Sequence, residues 1–199
     1  MLAIHWSPVK NTKRILKNGI TKSQNGLYCF PLTGHKEIDN WWVKAFNQWN
    51  YRQHRNRYNG FIFKIVQEDL PAYFGYWYGA TSSDTFDKEI NSIEELNKEY
   101  RNNILWIFAA SILGLQYNDK IDDDDYIQIV ENKINNGDID INNLLNDLDF
   151  MKLVFEDYQI VLSQSIHPKR IIKIISSQNE YGKILYKQKK YKNLTKLNE

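Results

Sequence analysis

Short blocks of β-branched and aromatic residues stand toward both ends of this 199-residue chain, with a long stretch of helical character between them. That arrangement constrains the fold more than any single motif, because strands separated by an uninterrupted helical segment must still find one another to make a sheet. Strand-like composition is read at residues 1–4, 27–30, 61–66, 73–78, 158–162 and 170–176. Residues 88–148 read as a mostly helical, partly acidic insertion, with helices near 92–102, 104–114, 124–135 and 140–148. The fold class expected is α+β, one domain over residues 1–199 with its strands brought together from both sides of the insertion.

Local signals sharpen the opening of the chain. The apolar run Met1-Leu2-Ala3-Ile4 is too short for a secretory segment and lacks a basic flank, so it reads as a first strand with His5 at its end. Residues 11–18 set Ile15 and Leu16 among lysines and an arginine, a short amphipathic helix that Gly19 stops. Ser23-Gln24-Asn25-Gly26 is a turn signal leading into the strand Leu27-Tyr28-Cys29-Phe30, which Pro31 ends. A tryptophan-rich helix is expected over residues 38–49.

Charge and cysteine usage bound the setting. The net charge of +2 is too small to imply nucleic acid alone, but its distribution is uneven: residues 182–196 carry six lysines and no acid, while residues 119–149 are strongly acidic. Asp122-Asp123-Asp124-Asp125 lacks the glycine and distal glutamate of a calcium loop, so no metal is expected there. The apolar run at residues 104–113 is about half the length of a membrane helix, and no membrane association is expected. A single cysteine, Cys29, excludes an internal disulfide framework and suggests a reducing compartment, the cytoplasm. Arg52, Arg55 and Arg57 alternate with tyrosines and asparagines in residues 51–58, a composition suited to phosphate contact and base stacking. The same arginines suit the pyrophosphate of a dinucleotide.

Three separated stretches, in order, resemble the ADP-ribosyltransferases of the diphtheria-toxin and poly(ADP-ribose) polymerase type. They are His5-Trp6-Ser7 followed by Asn11, Ile15-Leu16 and Gly19-Ile20; Gly26-Leu27-Tyr28-Cys29-Phe30; and the late block Tyr158 to Pro168 with Arg170 to Ile174 after it. The DNA-modifying DarT branch is similar in style. The resemblance implies split antiparallel sheets with a helical insertion, NAD as substrate, and DNA, RNA or a protein as the molecule modified, with toxin–antitoxin systems or phage defence as the setting. It further implies that His5 contacts a ribose hydroxyl, that the backbone of Trp6 holds the nicotinamide amide with Ser7 in support, and that Tyr28 packs on the nicotinamide ring. A second aromatic face would come from Trp41 or Trp42.

Splitting the nicotinamide–ribose bond passes through a cationic, oxocarbenium-like sugar, which a nearby carboxylate stabilises. Where the resemblance implies that glutamate, this chain has Gln159, which can accept a hydrogen bond but carries no charge. Glu156 and Asp157, just upstream, are the nearest carboxylates on the expected substrate loop. Two functions follow: an NAD-dependent ADP-ribosyltransferase, with His5, Tyr28 and Gln159 as its central residues, or a catalytically silent member of that fold serving as a binding or antitoxin-like module.

Overall fold

The computed structural model describes residues 1–49, 57–76, 88–111, 123–155, 158–176 and 184–187. Two compact units emerge, one from Met1–Ile93 together with Asp157–Glu199, the other from Glu94–Glu156. The first is a mixed unit built on one antiparallel sheet, and the second is helical.

The sheet comprises β1 (Leu2–Pro8), β2 (Leu27–Pro31), β3 (Tyr58–Lys64), β4 (Ala72–Tyr76), β5 (Lys88–Ile90), β6 (Tyr158–Leu162), β7 (Ile171–Ser176) and β8 (Ile184–Lys187). Their spatial order is β5-β4-β6-β2-β1-β3-β7-β8, so the late strand β6 is inserted between β4 and β2. Strands β3, β6 and β7 are buried on both faces over almost their whole lengths, which is why they read as continuous apolar runs rather than as an alternation. Short β5 and β8 were not legible as strands; they are three and four residues long.

Strand β1 runs past His5 to Pro8, so His5 is mid-strand rather than at a strand end. Its partner is β3, in register from Leu2↔Lys64 to Pro8↔Tyr58, which moves β3 earlier than residues 61–66. Backbone direction explains why Pro8 is tolerated. Met1 O accepts from Ile65 N and Val9 N donates to Arg57 O, so odd residues of β1 turn their backbone toward β3, whereas Leu2 O accepts from Leu32 N on the β2 side. Alternation therefore aims Pro8 away from β3, and its missing N–H costs the β1–β3 ladder nothing.

Strand β1 meets β2 only at Ala3↔Pro31 and Ile4↔Phe30. From His5 onward no β1–β2 register pair follows, and the two strands part. One face of the sheet around this point is covered by α3 (Trp41–Trp49), which follows the four-residue α2 (Lys36–Asp39). Ile4, Trp6, Phe30, Trp42, Val43, Tyr58, Ile62 and Ile175 form the core there. Gly60 sits opposite Trp6, and a Cβ on it would lie 2.8 Å from the indole, so the bare backbone lets the ring lie down on β3. Residues 36–49 make two helices rather than one over 38–49, because Asn40 leaves helical geometry at ψ −1°.

Helix α1 (Thr12–Asn18) buries Ile15 and leaves Leu16 exposed, so only one of its two aliphatic residues serves the core. Gly19 ends it at φ +85°, and any Cβ there would strike Ile166 O at 2.1 Å. This close approach is held by Ile20 and Ile166, which exchange backbone hydrogen bonds at 2.9 Å and dock the β6–β7 connection on the end of α1.

In the helical unit, the expected helices 92–102 and 104–114 are one element, α4 (Ile93–Ser111). Nothing in Asn102-Asn103 breaks it, and the Asn103 amide instead donates to Val154 O at 3.2 Å. Helices α5 (Asp123–Asn135), α6 (Ile141–Asn146) and α7 (Leu148–Phe155) follow. The last was not expected; Asp147 caps it by accepting from the N–H groups of Asp149 and Phe150 at 2.9 and 3.0 Å. Phe150 meets Phe108 edge to face and Phe155 stacks on Tyr100, joining α7 to α4. No described helix is long and apolar enough to cross a membrane.

Candidate functional site

Where β1 and β2 part, the register sets Tyr28 on the Ile4–Phe30 face of the sheet and His5, between Ile4 and Trp6, on the opposite face. In β2 and β6 the register pairs Tyr28 with Val161 and Cys29 with Ile160. Directly opposed residues share a face, so Tyr28, Val161 and, one step along, Gln159 project from the same side of the sheet. Gln159 also faces Gly75 on β4. It is only 2% exposed, and its amide Nε2 has no hydrogen-bond partner. A buried donor left without an acceptor is costly, which makes this nitrogen an unsatisfied point in the sheet.

His5 does not meet the Tyr28 ring. Its Nδ1 lies 2.8 Å from the backbone O of Tyr28. A carbonyl only accepts, so Nδ1 carries the proton and Nε2 presents its lone pair, the form that accepts a hydrogen bond from a hydroxyl. The imidazole pKa lies below its ordinary value because burial disfavours the cation; the bond to Tyr28 O opposes that, and the positive charge of Arg14 adds to it. The imidazole is therefore neutral at pH 7.

This lowered pKa has a measurable sign. The unfolded chain binds the His5 proton at the ordinary pKa of 6.5 and the folded chain only below it. His5 thus contributes no destabilisation above about pH 6.5, and stability falls as the pH drops from there toward the lowered folded value. Urea unfolding across this range should show a shallower acid-side fall for His5→Gln than for the wild type. Equal slopes would mean that the folded imidazole titrates normally.

Ser7 is buried, and its Oγ accepts from the Asn11 amide at 3.1 Å, which ties the hydroxyl to the start of α1. Alternation turns the backbone of Trp6 toward β2, while its indole enters the core and donates to Asp39 O at 2.7 Å. The carboxylate of Asp39 in turn accepts from Thr33 N and Thr33 Oγ1 at 2.8 Å and from Gly34 N at 3.0 Å, fixing the loop between β2 and α3. Of the two tryptophans, Trp42 is core, stacked on Phe30 at 4.5 Å. Trp41 is half-buried, and its ring stands perpendicular to that of Trp42 with centroids 4.9 Å apart.

Several sequence-derived candidates are not brought to this place. Glu156, Asp157, Arg52 and Arg55 lie outside the described residues. Arg57 is exposed, immediately before β3. Cys29 is fully buried, and burial first, then the charge of Asp69, pushes its thiol pKa well up, so it is unreactive. Among the described residues no group of three or more His, Cys, Asp or Glu side chains is positioned to hold a metal ion.

Two features escaped sequence reasoning. Asp69, 1% exposed, is gripped by both terminal nitrogens of Arg170 at 2.5 and 2.6 Å, across 101 positions of sequence. Asp39 organises the loop beside Trp6, and only its location ahead of a tryptophan-rich helix could have drawn notice. No protein-family model matches the chain, and no curated protein and no solved structure gives a significant match to it.

Proposed function

We propose that this chain is an NAD-dependent ADP-ribosyltransferase of the DarT or polymerase-like kind, acting as a toxin or phage-defence effector, with its nucleotide bound where β1 and β2 part. The observation that carries this reading is the insertion of β6 beside β2, which puts Tyr28 and Gln159 on one face while His5 is tied to the carbonyl of Tyr28. In this reading His5 Nε2 accepts from a ribose hydroxyl, Tyr28 and Trp41 offer ring faces to the nicotinamide, and the backbone of Trp6 holds its amide. The orphan Nε2 of Gln159 donates to an oxygen of the ribose.

A second reading, the catalytically silent binding module, is favoured by the same Gln159. An amide donates to the intact sugar but supplies no negative charge when the sugar becomes cationic, so ligand binding survives while bond cleavage is slow.

Calorimetric titration with NAD and measurement of nicotinamide release test both readings. NAD binding is expected for the wild type, with affinity reduced at least tenfold in His5→Ala. Steady nicotinamide release identifies the transferase, and binding without release identifies the silent module. A wild-type protein that neither binds nor cleaves NAD removes the nucleotide from the account altogether.

A further inference from the structure

The first 36 residues contain six lysines and arginines and no aspartate or glutamate. Four of them, Lys10, Lys13, Arg14 and Lys17, stand at spacings of three, four and seven, which on a helix is a single stripe. All four are exposed along α1 and the turn before it. Among the described residues none of them makes an ion pair. Like charges at these spacings destabilise a short helix, and among the described residues no carboxylate pairs with them. The stripe is therefore a local cost to the fold, which an anion lying along it would reverse.

Its position links it to the candidate site. The Asn11 amide, just before α1, donates to Ser7 Oγ at 3.1 Å, two residues from His5 on β1, and Val9, next to Lys10, donates its N–H to the carbonyl of exposed Arg57 at 2.9 Å. We infer that the exposed face of α1 is a docking surface for the phosphodiester backbone of a nucleic-acid strand, which it holds beside His5. That this strand is the acceptor of ADP-ribose rests on the function proposed above; the docking surface itself does not.

The dimensions and the chemistry favour this occupant. From Lys10 to Lys17 the stripe is about 10 Å long at 1.5 Å per residue, roughly the rise of three phosphates along one strand of a duplex. A membrane surface fits poorly, because an interfacial helix sinks its apolar side into lipid. The apolar side of α1 is Ile15, which is buried in the protein, leaving Val9 and Leu16 as its exposed large hydrophobics.

The test is fluorescence anisotropy of end-labelled DNA and RNA oligonucleotides with the full chain, titrated with salt, beside phosphatidylserine vesicles and polyglutamate. The triple variant Lys13→Gln/Arg14→Gln/Lys17→Gln is expected to bind the oligonucleotides at least tenfold more weakly. The slope of log affinity against log salt should also fall by about 2, three contacts at roughly 0.7 each. His5→Ala should leave oligonucleotide binding intact. Unchanged affinity and slope in the triple variant, no oligonucleotide binding by the wild type at low salt, or tighter binding of vesicles or polyglutamate overturns the assignment. Loss of NAD binding alone overturns the proposed function and leaves the surface standing.

Discussion

Replacing Arg170 with alanine is expected to lower the folding free energy by about 3 kcal/mol, read as a shift of the urea midpoint. The carboxylate of Asp69 is buried and accepts from both guanidinium nitrogens, with the N–H of Val66 as its further donor at 2.9 Å. Arg170 also donates to Lys64 O at 2.7 Å, so one side chain ties the end of β3, the connection to β4 and the start of β7. Removing it strands a desolvated charge, and that residual charge rather than the lost contact sets the size of the effect. The side chain of Arg170 keeps 28% of its surface, which holds the expected loss to the lower end of the range for buried pairs. Combining Arg170→Ala with Asp69→Asn should recover part of the stability, because the neutral amide tolerates burial better. A loss under about 1 kcal/mol would mean that water reaches the carboxylate.

The second large effect concerns Gln159. Nicotinamide release is expected to rise on the order of a hundredfold in Gln159→Glu, because a carboxylate at this position opposes the positive charge that develops on the sugar. The same substitution should lower stability by about 1–3 kcal/mol in the absence of NAD, since an unpaired acid is buried there. Adding NAD should restore part of that loss, as the cationic nicotinamide favours the ionised form. Release that stays at the wild-type level, in a variant that still binds NAD, would show that the missing charge is not what limits this site.

How far the fold was legible depended on whether a signal was local. Strands β1, β2 and β6 announced themselves through β-branched runs, and Gly19 marked the end of α1 because only that residue type accommodates both φ +85° and the approach of Ile166 O. The true length of β1 was hidden because Pro8 looks like a stop. It becomes acceptable only once one knows which edge of the strand its nitrogen faces. Helix α7 carried a readable cap in Asp147, overlooked because its apolar run resembles an approach to the next strand. At the candidate site, Tyr28 and Gln159 lie on one face of neighbouring strands, whereas His5, between Ile4 and Trp6, belongs to the other face, and its bond to the Tyr28 carbonyl instead of the phenol depends on how two strands diverge. The pairing of Asp69 with Arg170 had no local trace, since neither residue stands in a pattern that points to the other.

The location of β6 also dictates an order of events during synthesis. Strands β2 and β4 leave the ribosome well before β6, which is made only after the entire helical unit. Until it arrives, the two strands that will flank it have bare hydrogen-bonding edges, open to slippage or to another nascent chain. The β2–β6 pairing that sets Gln159 and Tyr28 on one face therefore comes late, with only the β3–β7 and β7–β8 pairings made from chain synthesised after it, so a product that stalls before β6 lacks the strand that joins β4 to β2, whatever else has already folded.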